Sequence, residues 1–383
     1  MKVLQTIVSF YPLVRGSINQ VYLISGGLKE KGFNPTILTT YHQVKSVPKR
    51  EFIDNIEVIR YKHQFRLMSY CITLGIYKTF KDFDLIHAHE NRTFQTDFSA
   101  IMSHWKKKPL IINSHGTLYA YRYILKGWLP RLPYLIQDVV TMKSTIRQAK
   151  QIIVSTKREY EEAINYGISK DKLEIIPYGI DTKLYEGKAV HNLQELKSDS
   201  DQIILLFVGR INRARPLEPI IEAVNSLDKV ILAIVGDEGQ GAGTQRKGYL
   251  EELKLLIKKT SLEKRVKFIG PKYGQELLDC YLSADIFIYS SLHESFGLPI
   301  LEAAAAGLPI ISTSVGIASE LVQDSETGFF INDNPNQIRE KISLLLKRDV
   351  REEFGRKLKT MAGKHYDKDI VVEQYIELYK RFI

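Results

Sequence analysis

Two glutamates eight positions apart, Glu294 and Glu302, are the residues whose type and spacing most directly indicate chemistry. They enclose the run Ser-Phe-Gly-Leu-Pro-Ile-Leu, in which Pro299 suits a first helical turn, and Gly307 can end the helix. A loop that leads into a helix N-terminus presents free backbone N–H groups and a positive dipole end, which together bind anions. Carboxylates beside such an anion site suit the hydroxyl groups of a sugar phosphate. The run therefore predicts a nucleotide-sugar site, although an acidic first turn is also ordinary dipole compensation.

Length and composition favour a globular protein of two domains. The chain has 383 residues, 44% hydrophobic and 26% charged. Its two cysteines, Cys71 and Cys280, are far apart and indicate neither a disulfide framework nor a metal site, which favours a cytoplasmic location. The first ten residues lack a small-residue cleavage site and are typical of a buried strand rather than a signal peptide. No apolar run is long enough for a membrane span.

The net charge of +10 is concentrated in the first half of the chain. Residues 1–180 contain 26 Lys and Arg against 14 Asp and Glu, whereas the remainder contains 28 against 30. Within residues 106–158 there are 11 basic residues and a single acidic one, Asp138. This segment is therefore a candidate for an anionic partner.

Short apolar runs alternate with amphipathic stretches along the whole chain, which predicts two consecutive doubly wound α/β domains. The expected strands are Val3–Phe10, Pro35–Thr39, Leu85–His87, Leu110–Asn113, Ile152–Ser155, Ile203–Val208, Val230–Val235, Val266–Ile269, Ile286–Tyr289 and Ile310–Thr313, and the expected helices include Ile18–Lys31, Leu217–Ser226, Tyr249–Lys259 and Gly274–Ser283.

The domain boundary is expected near residues 180–200, where the sequence is polar and has no periodicity. We expect an N-terminal, acceptor-binding domain over 1–185, a linker over 186–202, and a nucleotide-sugar-binding domain over 203–365. A final helix over 366–383 has an apolar face and is expected to pack back on the first domain. Open α/β sheets bind ligands at the carboxyl ends of their strands, so the two domains are expected to face a central cleft.

Several motifs, taken in order, resemble glycosyltransferase family 4. They are Asp84-Leu-Ile-His-Ala-His89, Ser114-His-Gly116, Ile176-Pro-Tyr-Gly-Ile-Asp181, Val208-Gly-Arg-Ile-Asn-Arg-Ala-Arg215, Val235-Gly-Asp-Glu-Gly239, the run from Glu294 to Glu302, and Ala306-Gly-Leu-Pro309. The resemblance covers essentially the whole chain. It implies the GT-B fold and a metal-independent, retaining transfer of a sugar from a nucleoside diphosphate, with no cofactor.

Two arginines are the expected partners of the diphosphate. Arg210 ends a predicted strand and Arg215 follows five residues later. Breaking a sugar–phosphate bond loads negative charge onto the diphosphate, and fixed cations stabilise that charge more in the transition state than in the substrate. The family usually has lysine at the position of Arg215 and glycine at that of Pro216. Both arginines could instead be solvated loop residues.

The resemblance also implies roles for the other candidate residues. Backbone N–H groups of Phe296, Gly297 and Leu298 would contact the phosphates, Glu294 would bind hydroxyls of the donor sugar, and Glu302 those of the ribose. In the first domain, Gly16 and Ser17 stand where the family has a glycine pair, and His115 would line the sugar pocket. His115 could equally be a strand-end histidine with a structural role. His87 and His89 alternate on one strand, but no third metal ligand is evident.

The segment 105–136 mixes aromatic and basic residues. It contains Trp105, Tyr119, Tyr121, Tyr123, Trp128 and Tyr134 together with Lys106–Lys108, Arg122, Lys126 and Arg131. Such a mixture suits an anionic membrane surface, where rings lie among headgroups and cations meet anionic lipid. It could instead form an acceptor groove or a packed loop with a solvated face. Nucleic-acid binding is disfavoured because no recognised module appears.

These observations predict a retaining glycosyltransferase that uses a UDP- or GDP-sugar and modifies a lipid-linked or cell-envelope saccharide, in the cytoplasm or peripherally at the cytoplasmic membrane face. No carboxylate for a double displacement is obvious, so a front-face transfer is expected, in which the leaving phosphate takes the acceptor proton. Two alternatives share the architecture: a sugar-nucleotide 2-epimerase, which forms an epimer without any acceptor, and a non-catalytic sugar-nucleotide-binding subunit.

Overall fold

The computed structural model describes residues 1–67, 70–118, 122, 127–191, 193–238 and 248–383, which form two compact units. The first unit contains Met1–Gly179 together with Lys368–Ile383, and the second contains Ile180–Asp367. Each unit is built on a parallel sheet flanked by helices. Two doubly wound α/β units were expected from the alternating apolar runs, and that expectation is confirmed.

The first unit begins with strands and helices that alternate along the chain. Its elements are β1 (Lys2–Thr6), α1 (Gly16–Glu30), β2 (Asn34–Thr40), β3 (Arg50–Ile53), β4 (Ile56–Tyr61), β5 (Phe65–Leu67), β6 (Tyr70–Ile72), β7 (Leu85–His89), α2 (Phe94–Lys106), β8 (Leu110–Asn113), α3 (Leu132–Gln137), α4 (Lys143–Gln148), β9 (Gln151–Val154), α5 (Lys157–Tyr166) and β10 (Leu173–Ile175). A π-helical turn, Asp138–Met142, joins α3 to α4.

Eight strands form the first sheet in the order β10-β9-β8-β7-β1-β2-β4-β3. All neighbours are parallel except β3, which pairs with β4 as an antiparallel edge. The sheet order reverses direction at β1, between β7 and β2, so the carboxyl ends of β1, β7 and β8 lie side by side. His89 and Asn113, the last residues of β7 and β8, are polar residues at this edge.

The second unit has the elements β11 (Ile203–Val208), α6 (Glu218–Asn225), β12 (Val230–Val235), α7 (Tyr249–Lys259), β13 (Val266–Gly270), α8 (Gly274–Ser283), β14 (Ile286–Tyr289), α9 (Leu298–Ala305), β15 (Ile310–Ser312), α10 (Ala318–Leu321), β16 (Gly328–Phe330), α11 (Pro335–Leu344) and α12 (Arg348–His365). Its sheet is entirely parallel, in the order β13-β12-β11-β14-β15-β16. Residues of β11, β12 and β14 are almost all fully buried, as expected for strands covered on both faces.

The last helix, α13 (Lys368–Lys380), belongs to the first unit. Its apolar face joins a core cluster with residues of α1, β1, β7, β8 and β9; the face comprises Val371, Val372, Tyr375, Ile376, Leu378 and Tyr379. A Cβ atom at Gly27 of α1 would lie 2.4 Å from Val372, so glycine is what permits these two helices to approach so closely.

The chain passes between the units at Gly179–Ile180 and again at Asp367–Lys368, ahead of the boundary expected at residue 185. The segment 186–202, expected to be a linker, is part of the second unit. Leu193 is buried there, and its N–H donates to Ser283 Oγ. The predicted strand Val3–Phe10 is also shorter than expected: it ends at Thr6, although Ile7 and Phe10 remain buried in the core.

Candidate nucleotide-sugar site

Arg215 and Glu294 meet at the carboxyl edge of the second sheet. Arg215 Nη2 donates to Glu294 Oε1 over 2.5 Å, and the two side chains are only 12% and 13% exposed. Tyr289, the last residue of β14, completes the cluster because Arg215 Nε donates to its hydroxyl oxygen and that hydroxyl donates to Glu294 Oε1, both over 2.8 Å. Tyr289 was not predicted as a site residue, although its place at the end of a predicted strand was a signal.

One oxygen of Glu294 is anchored and the other is open. Ser291 Oγ adds a third hydrogen bond to Oε1, over 3.1 Å. No hydrogen bond from the described residues reaches Oε2 of Glu294. Burial lowers the pKa of Arg215, but its interactions with Tyr289 and Glu294 raise that pKa more, so the guanidinium is charged. The carboxylate thus keeps one acceptor oxygen for a ligand while its position is held by three protein groups.

Glu302 repeats this arrangement one helical turn into α9. It is partly buried, and Tyr281 donates to its Oε2 over 2.7 Å. Within the described part of the chain, nothing donates to Oε1. Burial raises the pKa of Glu302, and the hydrogen bond from Tyr281 offsets only part of that rise. Tyr281 is fully buried and was not predicted; its position in a helix gave no sign of its role.

Between the two glutamates, the chain turns sharply into α9. Gly297 has a φ of +90°, a conformation that favours glycine, and α9 begins at the next residue, Leu298. The N–H groups of Gly297 and Leu298 donate no hydrogen bond among the described residues, as expected at the start of a helix. The loop before them packs against the backbone at Gly316. A Cβ atom at Gly316 would lie 2.2 Å from the carbonyl oxygen of Phe296.

The loop that carries Arg210 is held against its neighbour in the sheet. Gly236 follows β12, and a Cβ atom at this residue would lie only 1.9 Å from the carbonyl oxygen of Gly209. The side chain of Arg215 also passes close to Gly209, where a Cβ atom would lie 3.5 Å from Arg215 Cδ. Arg210 comes directly after Gly209 and is exposed. Arg210 therefore directly follows a residue that the side chain of Arg215 approaches closely.

In the first unit, Gly16 and Ser17 are the first two residues of α1, which begins two residues earlier than expected. The hydroxyl of Ser17 donates to Glu90 Oε1 over 2.8 Å. Glu90 directly follows β7 and has a φ of +68°. Gly16 and Ser17 were predicted as site residues and Glu90 was not, because nothing in its local sequence distinguishes it from a surface carboxylate.

His115 lies just past β8 and is buried, and both of its ring nitrogens have protein partners. Its Nε2 is 2.9 Å from His89 Nδ1, and its Nδ1 is 2.6 Å from the Tyr178 hydroxyl. The other nitrogen of His89, Nε2, is 2.7 Å from Gln5 Oε1. Four buried side chains thus form one continuous chain of hydrogen bonds.

The direction of this chain follows from its far end. Ser25 Oγ donates to the carbonyl oxygen of Val21, so it must accept from Gln5 Nε2. Gln5 Oε1 then accepts from His89 Nε2–H, which leaves His89 Nδ1 as an acceptor for His115 Nε2–H. The remaining nitrogen of His115 accepts from Tyr178.

All three histidines of this edge are neutral. Burial lowers the pKa of His115 to about 3 and that of His87 to about 3, and it also lowers the pKa of His89 well below its usual range. The expectation that His115 contacts the donor stays a prediction, but the ring nitrogens that would make such a contact are occupied within the protein. His87 and His89 also have protein partners, Tyr379 and Gln5.

Two family models match this chain, one over each half. "Glycosyltransferase Family 4" matches residues 14–184 and "Glycosyl transferases group 1" matches residues 191–362. The chain belongs to glycosyltransferase family 4. The two models together cover both halves of the chain, and the resemblance drawn from the motifs is confirmed.

Among curated relatives, a D-inositol 3-phosphate glycosyltransferase of Nocardia farcinica is 27% identical over 258 residues, covering 65% of this chain and 55% of the relative. The chain thus matches a little over half the length of that protein. Among solved structures, Anabaena HepE in complex with UDP-glucose has a TM-score of 0.77 at 19% identity and covers 100% of both chains. WaaG, a glycosyltransferase involved in lipopolysaccharide biosynthesis, has a TM-score of 0.70 at 18% identity and covers 98% of this chain and 99% of its own. These similarities confirm the GT-B fold.

This member of family 4 carries an exposed apolar surface in its first unit. Trp105 and Trp128 are 73% and 71% exposed, and Val139 and Val140 are nearly as exposed. A groove of about 480 Å³ between α2 and the segment 138–148 is lined in part by Trp105 and Val140. Tyr119, Tyr121, Tyr123 and Lys126 of the predicted aromatic segment lie outside the described residues. No helix in the described ranges is long and apolar enough to cross a bilayer.

A metal site is not evident in the described residues, where no three His, Cys, Asp or Glu side chains gather as ligands. The expectation that catalysis needs no metal remains a prediction. It is tested by measuring activity with and without a chelator.

Proposed function

We propose that this protein transfers a sugar from a nucleoside diphosphate sugar to a hydroxyl group of an acceptor. The observation that carries the proposal is the matched state of Glu294 and Glu302, each with one oxygen held by a tyrosine and the other open. An anchored carboxylate with a free oxygen accepts a hydroxyl hydrogen bond and rejects analogues that lack the hydroxyl. Glu294 would bind the donor sugar and Glu302 the ribose.

The diphosphate would lie between the open N–H groups at the start of α9 and the two arginines. Arg215 is the better placed because its guanidinium is oriented by Tyr289 and Glu294 before any ligand arrives. A preorganised cation stabilises the charge that develops on the leaving phosphate without reorganisation. Arg210, in the adjacent loop, would contribute the second positive charge.

The donor is proposed to be a UDP-sugar, with a GDP-sugar as the alternative. Support comes from HepE, whose structures hold UDP and UDP-glucose in the same fold. Transfer is proposed to retain the anomeric configuration through front-face attack, in which the leaving phosphate accepts the proton of the acceptor hydroxyl. In this scheme the carboxylates of Glu294 and Glu302 bind hydroxyl groups, so neither serves as a nucleophile.

The acceptor is proposed to be a lipid-linked or cell-envelope saccharide presented at an anionic membrane. Exposed Trp105 and Trp128 support this because they lie in a segment of the sequence rich in basic residues. Lys106 and Lys107 directly follow Trp105 and are exposed, and exposed Lys143 precedes Ser144, which lines the same groove as Trp105. Each such cation is worth roughly 1 kcal/mol at an anionic leaflet, and aromatic side chains anchor at the headgroup level.

The proposed activity is tested with a panel of UDP- and GDP-sugars and with hexyl glycosides as acceptors. The expected result is thermal stabilisation by one donor class and a new disaccharide glycoside, detected by mass spectrometry, whose anomeric configuration matches the donor. Donor incubated alone provides the control, since an epimerised donor sugar would contradict transfer as the primary reaction. Binding of every donor without turnover would instead favour a non-catalytic subunit.

Membrane association is tested by sedimentation with vesicles of phosphatidylcholine, with and without phosphatidylglycerol. We expect binding at low salt that requires the anionic lipid and is weakened by Trp105→Ser and Trp128→Ser together. Phe52→Ser is the matched control because Phe52 is 69% exposed elsewhere in the same unit. Equal sedimentation with both vesicle types, or none with either, would contradict the proposal.

A further inference from the structure

Two histidines that the proposed function does not use follow neighbouring strands of the first sheet. His42 lies two residues past the end of β2, and His63 lies two residues past the end of β4. The two strands are parallel neighbours, and their last residues, Thr40 and Tyr61, pair with each other. Open α/β sheets bind ligands at the carboxyl ends of their strands. The two histidines therefore lie where a ligand of the first unit would be expected.

Both imidazole rings are fixed in place, but their hydrogen-bonding capacity is not used by the protein. His42 is 6% exposed; its N–H donates to Thr40 Oγ1 and its carbonyl oxygen accepts from Ser9 Oγ, both over 3.0 Å. The ring of His63 packs edge-on against that of His42, with 6.4 Å between the ring centroids. The Nδ1 atom of each ring is buried and has no hydrogen-bond partner in the described part of the chain.

These two nitrogens differ from those of the other buried histidine pair in the same unit. His89 and His115 use both ring nitrogens in hydrogen bonds within the protein. Buried polar atoms in folded proteins nearly always have a partner, because burial without one costs free energy. A bound ligand is one such partner, and two open nitrogens on adjacent rings can serve the same ligand.

The charges that act on His42 are positive. Burial lowers the pKa of His42 most, and the charge of Arg66 has the next largest effect. His63 and Arg15 lower the same pKa by smaller amounts. Arg15 is partly compensated, because its charge also acts on the carboxyl group of Glu90 and lowers the pKa of that group. Arg66, which is exposed in β5, forms no ion pair with any residue that the structure describes.

This combination of groups suits an anionic oxygen ligand. A guanidinium binds a carboxylate or a phosphate group through paired N–H donors. An imidazole donates one hydrogen when it is neutral and two when it is protonated, so each histidine can add a donor to the same anion. A neutral hydroxyl group could accept these hydrogen bonds, but it would leave the charge of Arg66 uncompensated. The cluster therefore favours a charged ligand over an uncharged one.

We propose that Arg66, His42 and His63 form a site in the first unit that binds the carboxylate or phosphate group of a ligand. All three residues belong to that unit. The inference rests on the proposed function only where it names the ligand: the acceptor saccharide is then acidic, either a uronic acid or a sugar phosphate. The experiment distinguishes these two sources of negative charge.

The site is tested by NMR of the histidine rings in the full chain, with isotope-labelled histidine and no donor present. The titrants are glucuronic acid, glucose 6-phosphate and neutral glucose. His42→Gln and His63→Gln assign the two ring signals, and thermal melts establish that every variant is folded. Arg66→Gln removes the charge and Arg66→Lys keeps it. The control Arg381→Gln breaks an ion pair with Glu174 of β10, at the opposite edge of the sheet.

One of the acidic sugars is expected to shift the signals of His42 and His63 and to bind at least roughly tenfold more tightly than glucose. Arg66→Gln should weaken that binding roughly tenfold, Arg66→Lys should weaken it less, and Arg381→Gln should not change it. Tighter binding of glucuronic acid assigns a carboxylate to the ligand, and tighter binding of glucose 6-phosphate assigns a phosphate group.

A transfer assay with UDP-glucose links the site to the acceptor. Arg66→Gln should raise the KM for the hexyl glycoside that carries the preferred acidic group, and it should leave the KM for hexyl glucoside unchanged. Equal KM values of the wild-type protein for acidic and neutral hexyl glycosides would keep the proposed function and contradict the acidic acceptor.

Two results of the NMR titration would overturn the site itself. The first is that neither acidic sugar shifts the signals of His42 and His63, or that glucose shifts them equally. The second is an unchanged affinity for the acidic sugar in Arg66→Gln. Failure of the proposed function gives a different result, because a protein that transfers no sugar from any donor would still show the titration, which needs neither donor nor turnover.

Discussion

The polar edges of the two units differ in how completely they are satisfied. In the second unit, Arg215, Glu294 and Glu302 keep unused hydrogen-bonding capacity although each is anchored by a neighbour. In the first unit, His89 and His115 use both ring nitrogens within the protein. Open capacity marks groups available to a ligand, while a closed network marks groups that hold the fold. His89 and His115, which are more conspicuous in the sequence, have no ring nitrogen left open, and the expectation that His115 contacts the donor stays a prediction.

The largest expected effect is on turnover and comes from the open edge. Arg215→Ala should lower kcat by roughly 100-fold or more, because it removes a preorganised cation from the leaving phosphate. Arg210→Ala should likewise lower kcat far more than donor affinity. Arg213→Ala is the matched control, since Arg213 is exposed and pairs with Glu252. Steady-state kinetics check this, and equal small losses in kcat and donor affinity would count against the assigned roles.

The close approach of Gly316 to the loop before α9 should affect the free energy of unfolding. Gly316→Ala should lower the free energy of unfolding by about 2 to 3 kcal/mol, because the new Cβ atom would lie 2.2 Å from the Phe296 carbonyl oxygen at a φ of +48°. Gly26→Ala in α1 meets no atom within 4 Å and should stabilise by about 0.5 to 1 kcal/mol. Urea denaturation measures both. A tolerated Gly316→Ala would show that the loop before α9 is not rigidly held.

The buried histidines of the first unit should make its stability sensitive to acid. Since burial lowers the pKa of His87 and His115 to about 3, the unfolded chain binds more protons than the folded one between that pH and about 6.5. Stability should therefore fall as pH falls through this window, by about 1.4 kcal/mol per pH unit for each neutral histidine. His87→Gln should reduce the slope. The control His104→Gln, at an exposed position of α2, should not. An unchanged slope in His87→Gln would refute the assignment of His87 as a buried, neutral histidine.

Replacing Glu302 should change ligand affinity and folding stability in opposite directions, which is the behaviour expected of a residue at the open edge. Its raised pKa means that ionisation is disfavoured in the folded state, so the folded protein gains stability as pH falls through that pKa. Glu302→Gln should raise the melting temperature at pH 7 and lose this advantage below about pH 4. The same variant should bind UDP roughly tenfold more weakly. A variant that is both less stable and equally tight in binding would place Glu302 in the fold rather than the site.

Much of the fold was predictable because buried parallel strands are short apolar runs, and ten such runs mark strands of the two sheets. The antiparallel edge formed by β3 and β4 was missed, since these strands are half-exposed and lack a continuous apolar run. The candidate site residues of the second unit could be named from the sequence because Arg210, Arg215 and Glu294 lie in loops next to strand ends and Glu302 lies in the helix that follows. Tyr281, Tyr289, Gly236 and Gly316 could not, because their roles depend on contacts between residues distant in the chain.

In the first unit, the sequence predicted which residues follow the strands, but not how their side chains are hydrogen-bonded. The spacing of His87 and His89 indicated a shared face, yet nothing local showed that Gln5 and Tyr178 would satisfy the histidines. Glu90 was missed for the complementary reason. Its partner Ser17 is 73 positions away in the chain, and only the parallel arrangement of β1 and β7 brings them together.

The return of α13 to the first unit has a consequence for biosynthesis. Because Val371, Tyr375 and Tyr379 complete a core that includes Val3 and Ile24, the unit that the ribosome begins first is the one it finishes last. The second unit, by contrast, is one uninterrupted stretch, and its ends already meet through the Ile180–Asp367 bridge. Vectorial synthesis therefore allows the interior stretch to reach its native structure while the opening residues still await their final helix.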